Sequence, residues 1–77
     1  MKVKVLLFGI FNEQANTSKI TFEDIKDKDE LMDRIWAEYP SFKEVPHNVS
    51  VNQEIVKNNI ALSDGDEIAL MPPFAGG

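Results

Sequence analysis

Residues 62–77 read LSDGDEIALMPPFAGG, a turn, a strand and an uncharged tail in succession. The Ser, Asp and Gly of residues 63–66 favour a tight turn, and apolar residues at 68–71 predict a strand over 67–71. After Glu67 the chain carries no charge, and Pro72 and Pro73 favour an extended conformation over a frayed one. Chain ends are usually polar and tolerant of change. The tail is therefore predicted to enter a pocket on another protein, since seven residues from Met71 reach on the order of 20 Å.

The sequence before this stretch predicts four more strands or short strands and one helix. The strands are predicted at 2–8, 19–22, 49–51 and 55–56, with the first two paired as a hairpin, and with loops at 9–18 and 41–48. The helix is predicted to start at the capping-box pattern Asp27-Lys28-Asp29-Glu30 and to end before Pro40. Its apolar stripe is Leu31, Ile35 and Tyr39, flanked by Met32 and Trp36. This order predicts a small α+β domain over 1–77, with an extended C-terminal tail at 72–77.

The first and last strands are apolar on both faces. Where alternate residues face the core, Leu6 and Phe8 of the first strand and Ala69 and Met71 of the last lie on the opposite face. One helix covers only one face of a sheet, so we expect the other face to dock a partner, with core packing as the competing interpretation.

Composition narrows the function classes. The 77 residues contain no cysteine, which excludes disulfides and thiolate metal sites and suits a reducing cytoplasm. The formal charge of −5 argues against nucleic-acid binding and would suit a partner with a basic face. No apolar run is long enough to span a membrane, and the first residues lack the pattern of a signal peptide. We therefore expect a cytoplasmic protein, intact from its first residue.

For each of two groups of side chains, a chemical site competes with an ordinary structural role. His47 is the only histidine and stands without a triad or metal constellation, so we expect an ordinary exposed loop residue. The carboxylates of Asp64, Asp66 and Glu67 lack the spacing of a calcium loop, and a solvated turn is the favoured interpretation. No nucleophile, base and orienting group form a catalytic set, so a free-standing enzyme is not expected.

Three segments together resemble the small subunit of molybdopterin synthase, a β-grasp, ubiquitin-like sulfur carrier. They are Val51-Asn52-Gln53, residues 62–69, and the terminal Pro-Pro-x-x-Gly-Gly of residues 72–77. The resemblance extends in outline over the whole chain, including Lys4-Val5-Leu6-Leu7-Phe8, and its specific part is the last third. A bare Gly-Gly end would be weak evidence, but its combination with the Asp-Gly-Asp-Glu turn and the two prolines is much stronger.

The resemblance implies a β-grasp fold and a carrier chemistry at the C-terminus. An ATP-dependent activating enzyme would adenylate the carboxylate of Gly77, and a sulfur donor would convert the acyl adenylate to a thiocarboxylate. The large synthase subunit would then transfer the sulfur to cyclic pyranopterin monophosphate, and two transfers would build the molybdopterin dithiolene. The resemblance also implies a heterotetramer centred on a large-subunit dimer, and no cofactor or metal held by this chain.

The same resemblance assigns site residues. Gly77 is the reactive position, and Gly76 is its neighbour in a channel too narrow for side chains. The implied partner-binding residues are Phe8, Ile55, Met71, Pro72, Pro73, Phe74, Ala75 and Gly76. One departure is the first loop, where the family often has an Arg-Glu pair and then a glycine, but this chain has Asn12-Glu13-Gln14-Ala15-Asn16. That difference affects the shape and contacts of the loop and leaves the tail chemistry unchanged.

Other functions remain open at this point. A sulfur carrier for thiamine thiazole synthesis shares the fold and the Gly-Gly end, although the two prolines ahead of Ala75 argue against it. A ubiquitin-like modifier would join Gly77 to lysines of other proteins. A plain interaction module would use the tail structurally.

Overall fold

A computed structural model describes residues 2–73, which form a mixed β-sheet covered on one face by a helix. The elements in chain order are β1 (Lys2–Leu7), α1 (Ile10–Ala15), β2 (Lys19–Glu23), α2 (Lys28–Glu38), a 3₁₀ helix (Pro40–Glu44), β3 (Asn48–Val51), β4 (Glu54–Ile55) and β5 (Glu67–Met71). The strand order is β2-β1-β5-β3-β4. β1 and β5 run parallel, and the other neighbouring strands are antiparallel. The predicted α+β class and the β1–β2 hairpin are confirmed.

Helix α2 begins where the capping pattern predicts. The side chain of Asp27 accepts a hydrogen bond from the backbone N–H of Glu30 at 2.8 Å, which satisfies a donor that the first turn leaves free. The Glu30 carboxylate reaches one residue further back than a standard capping box and accepts from Lys26 N–H at 3.0 Å. The helix ends at Glu38, because Pro40 disfavours a helical conformation at Tyr39, whose φ is −130°.

The core lies between α2 and the inward face of the sheet. Alternate residues of β1 and β5 are buried there, and Leu31 and Ile35 of α2 are completely inaccessible against them. Met32 is also buried, whereas Trp36 and Tyr39 pack at the edge of the core. The other buried hydrophobic residues are Val3, Val5, Leu7, Phe11, Phe22, Ile25, Phe42, Val49, Val51, Leu62, Ile68 and Leu70.

The two segments predicted as loops contain helices. Residues 10–15 form α1 and residues 40–44 form the 3₁₀ helix, so these two predictions were wrong. The physical reason is a tertiary contact, because Phe11 and Phe42 are both buried and their ring centroids lie 5.0 Å apart, edge to face. α1 ends at Asn16, whose φ of 58° is the left-handed conformation that glycine and asparagine adopt most easily.

The strand bounds differ slightly from the prediction. β1 ends one residue earlier, at Leu7, although Phe8 N–H still donates to Leu70 O at 3.1 Å. β4 occupies 54–55 where 55–56 was predicted. None of the helices within residues 2–73 has the length and apolar character needed to span a membrane.

Candidate docking groove and the start of the tail

The sheet face opposite α2 carries an apolar groove, built by strand register. Leu6 of β1 lies beside Ala69 of β5, Ala69 lies opposite Ser50 of β3, and Ser50 lies opposite Ile55 of β4. Paired residues point to the same face, so these four side chains cross the outer face in one row. The alternation in the sequence thus places small and apolar side chains where no helix covers them.

Three of the predicted partner-binding residues border this groove. Phe8 is 46% exposed, Ile55 is 51% exposed, and Met71 is partly buried. The lining residues are Leu6, Phe8, Ser50, Gln53, Ile55, Glu67, Ala69 and Met71. Large apolar side chains that remain exposed together are typical of an interaction surface.

Sequence reasoning missed two polar residues of the groove lining, Ser50 and Gln53. Ser50 is only 5% exposed, and its burial depends on the position of β3 between β5 and β4, which is not visible in the local pattern. Gln53 lines the groove from the two-residue turn that joins the paired strands β3 and β4. Both residues can be assigned to the groove only when the order of the strands in the folded sheet is known.

Asn52 fixes the hairpin that carries Ile55. Its φ is 50° and that of Gln53 is 75°, the positive values that a two-residue hairpin turn with a right-handed twist requires. The Asn52 side chain donates to Asp66 Oδ1 at 3.0 Å and accepts from Glu67 N–H at 3.1 Å. These bonds attach the β3–β4 turn to the beginning of β5.

The acidic turn of residues 63–66 has a structural role. Asp64 Oδ1 accepts from Lys2 N–H at 2.7 Å, and Gly65 N–H donates to Lys2 O at 2.7 Å, so the turn holds the start of β1. Asp66 Oδ2 accepts from Ser63 N–H at 2.8 Å. In the described part of the chain, no three His, Cys, Asp or Glu side chains form a cluster that could hold a metal ion.

The tail leaves the domain at the same end of the sheet as Phe8. Because β1 and β5 are parallel, their carboxyl ends meet at one edge, where Phe8 follows β1 and Pro72 follows β5. Gly9 has a φ of +59°, and a Cβ there would lie 2.8 Å from Pro72 Cγ, so only a glycine allows this approach without a shift. Pro72 is partly buried and Pro73 exposed. The predicted site residues Phe74, Ala75, Gly76 and Gly77 lie outside the described residues.

His47 is partly buried, in contrast to the exposed side chain that was predicted. Its Nδ1 lies 2.7 Å from Val45 O, and its ring packs edge-on against Trp36, with centroids 5.2 Å apart, and against Phe11 at 6.3 Å. Its ring therefore packs against α1 and α2, and His47 does not line the groove.

Comparison with known proteins identifies the family of this chain. The model of the ThiS family matches residues 5–77. The chain is 37% identical to the molybdopterin synthase sulfur carrier subunit of Chlamydomonas reinhardtii, with all of both chains covered. It is 33% identical to the protein of the same name from Mycobacterium tuberculosis, over all of this chain and 99% of that one.

Solved structures show the same fold. A chain in the complex of subunits 1 and 2 of the molybdopterin-converting factor from Helicobacter pylori matches with a TM-score of 0.75 and 31% identity, and the match covers all of both chains. SAMP1 from Haloferax volcanii, a small archaeal modifier protein, matches with a TM-score of 0.81 and 25% identity over all of both chains. The predicted β-grasp fold is confirmed, and this chain, which resembles the two molybdopterin synthase sulfur carrier subunits over nearly all of their length, belongs to the ThiS family.

Proposed function

We propose that this chain is the sulfur carrier of a molybdopterin synthase, docked through the groove and reactive at Gly77. Its full-length likeness to two proteins of that name supports the assignment. The structural observation that best supports it is that the groove and the start of the tail lie at the same edge of the sheet. Phe8 and Met71 border the groove at the edge of the sheet from which Pro72 leads into the tail.

This arrangement separates docking from chemistry. The groove would hold the domain against the large subunit, while the residues after Met71, extended by two prolines, reach on the order of 20 Å into that subunit. Gly76 and Gly77 lack side chains, so the terminal carboxyl group passes through a narrow channel. In the proposed assembly, two carriers flank a dimer of large subunits as a heterotetramer.

The chemistry follows from the weakness of a carboxylate as an electrophile. On the activating enzyme, an oxygen of the Gly77 carboxylate attacks the α-phosphorus of ATP, pyrophosphate leaves, and an acyl adenylate forms. Sulfide supplied by the sulfur donor, as HS⁻, then attacks the carbonyl carbon, AMP leaves with the bridging oxygen, and loss of the remaining proton gives the thiocarboxylate. This sulfur is ionised near neutral pH and is the nucleophile that the large subunit directs to cyclic pyranopterin monophosphate.

The chain itself supplies a reactive terminus and a docking surface. We propose that ATP, the base groups and any metal are held by its partners, and that the chain carries no cofactor of its own. We also propose a cytoplasmic location, because adenylation consumes ATP and the lack of cysteine suits a reducing compartment.

The test is to extend the C-terminus by one residue beyond Gly77 and to assay dithiolene formation with the activating enzyme, sulfur donor and large subunit. We expect activity to be abolished and the circular dichroism spectrum to be unchanged, while an extra residue at the N-terminus leaves activity intact. Gly77→Ala should impair activation or transfer, since its β-carbon must enter the same channel. Full activity of the extended, folded protein would contradict the proposal.

A protein modifier is the second candidate, favoured by the likeness to SAMP1 from Haloferax volcanii. In that case Gly77 would form isopeptide bonds with lysines of other proteins. Conjugates of high mass in the native host, lost when Gly77 is deleted, would support this function. A carrier for thiamine thiazole synthesis would instead copurify with a thiazole synthase.

A further inference from the structure

Gly9 and Pro72 pack against each other where the tail leaves the sheet. A Cβ on Gly9 would lie 2.8 Å from Cγ of the Pro72 ring, closer than real Cβ atoms come, and 3.3 Å from its Cδ. The ring therefore occupies the space that any side chain at position 9 would begin to fill. We call the surface of Gly9 against which this ring packs the seat.

The backbone is anchored on both sides of the seat. Phe8 N–H donates to Leu70 O at 3.1 Å, which ties the end of β1 to β5. Gly9 O accepts from Glu13 N–H at 3.1 Å, in the first turn of α1. Gly9 itself has a φ of +59° and a ψ of −129°, a conformation that residues with a side chain rarely adopt. An added Cβ would thus stand between an anchored backbone and a proline ring, and one of the two would have to shift.

The chain at Pro72 is equally restricted. The pyrrolidine ring fixes the φ of Pro72 near −65°, and Pro73 favours an extended conformation in the residue before it. Pro72 follows Met71, which lies opposite Asn48 in the last register position of the β3–β5 pair. With its φ, its seat and the preceding strand all fixed, the first residue of the tail leaves the sheet in one direction.

We propose that Gly9 is a positioning residue for the tail, because it provides the seat that fixes the direction in which the chain leaves the sheet at Pro72. Gly9 directly follows Phe8, which borders the groove, so the seat links the docking surface to the tail. A tail that is already directed when the groove docks loses less conformational freedom on entering the large subunit, and this favours binding. The inference rests on the proposed function and adds a residue outside the tail that acts on tail delivery.

Gly65 offers a matched control for the loss of a glycine. Its φ is +85°, so an alanine there strains the backbone as it does at Gly9, but an added Cβ would have no atom within 4 Å. Gly65 precedes β5, at the opposite end of that strand from Pro72. G65A therefore introduces backbone strain without any contact to the tail.

The experiment compares the full-length wild-type chain with G9A, P72A, the double variant G9A/P72A and G65A. Titration calorimetry gives the Kd for the large subunit, and sulfur transfer from the thiocarboxylated chain gives KM and kcat. In the free chain, NMR measures the nuclear Overhauser cross-peak between the α-protons of Gly9 and the γ-protons of Pro72. Circular dichroism and thermal unfolding establish that each variant is folded.

We expect the cross-peak in the wild-type chain and its loss in G9A, because the added Cβ displaces the ring. G9A should raise Kd and KM about tenfold, the factor that corresponds to ordering the backbone of roughly one residue. Its kcat should stay within about twofold of wild type, since the reacting end is unchanged once bound.

P72A should also raise Kd about tenfold, because the ring is lost although Pro73 still favours an extended residue before it. The double variant should resemble P72A, since the Cβ at position 9 no longer meets a ring. G65A should leave Kd within about twofold of wild type, because its strain does not reach the tail.

A double variant weakened about a hundredfold, as two independent losses would give, would overturn the inference. An unchanged Kd for folded G9A would do the same, and so would an equal loss of affinity in G65A. If G9A does not fold, an unchanged Kd for P72A or a wild-type chain without the cross-peak would overturn it.

None of these results affects the proposed function, which depends on the wild-type chain. A wild-type chain that transfers no sulfur to the large subunit's substrate would overturn the proposed function. The cross-peak is measured in the free chain, so it tests the seat separately from that outcome.

Discussion

Truncation of Phe8 to alanine should test the docking surface. Phe8 borders the groove beside Met71 and leaves 46% of its surface exposed. If the large subunit covers the groove, this exposed area becomes buried in the complex. Phe8→Ala should then weaken the complex while the isolated domain remains folded.

The size of the effect follows from the exposed area. A phenylalanine presents about 200 Å², so the exposed 46% amounts to about 90 Å². At about 25 cal/mol per Å² this area is worth about 2 kcal/mol, or roughly a thirtyfold increase in Kd. The slightly larger part of the side chain that already packs on the domain should cost about 2–3 kcal/mol of folding stability when it is removed.

Titration calorimetry against the large subunit measures the change in Kd, and thermal unfolding of the free chain measures the change in stability. Ile60→Ala is the matched control, because Ile60 is another exposed large hydrophobic residue, at 36%, but does not line the groove. It should leave Kd within about twofold of wild type, since it removes no area buried by the partner. An unchanged Kd for folded Phe8→Ala would refute the assignment of the groove as the docking surface.

Three further substitutions test the structural basis of the site, each by thermal or denaturant unfolding. Asn52→Ala removes two side-chain hydrogen bonds at a positive-φ turn and should cost about 1–2 kcal/mol, whereas Asn58→Ala, at an exposed loop position, should cost less than about 0.5 kcal/mol. Phe11→Ala empties a fully buried position and should cost about 3–5 kcal/mol; a loss below about 1 kcal/mol would show that α1 does not pack as described. Asp27→Ala removes the N-cap of α2 and should cost about 1 kcal/mol, while Asp33→Ala on the exposed side of the helix should be nearly neutral.

Periodicity was sufficient to predict the sheet face and the main helix. The alternation through Leu6 and Phe8 and through Ala69 and Met71 placed all four on the outer face, where the structure has them. The capping pattern at Asp27 fixed the start of α2 to the residue. These features depend on local spacing, which a sequence displays directly.

Features that depend on long-range packing were not predictable in the same way. α1 is only six residues long, too short to be stable without tertiary contacts, and it is held by the burial of Phe11 against Phe42. The buried state of Ser50 follows from strand order. Strand order is set by contacts between residues far apart in the chain, and no short pattern records it.

The central claim, that Gly77 carries sulfur, is tested most directly by the intact mass of the chain purified from its native host without a C-terminal tag. We predict a fraction heavier by the difference between a sulfur and an oxygen atom, localised to the C-terminal peptide that contains Gly77. An unmodified carboxylate as the only species, in cells that are actively making the molybdopterin cofactor, would contradict the account.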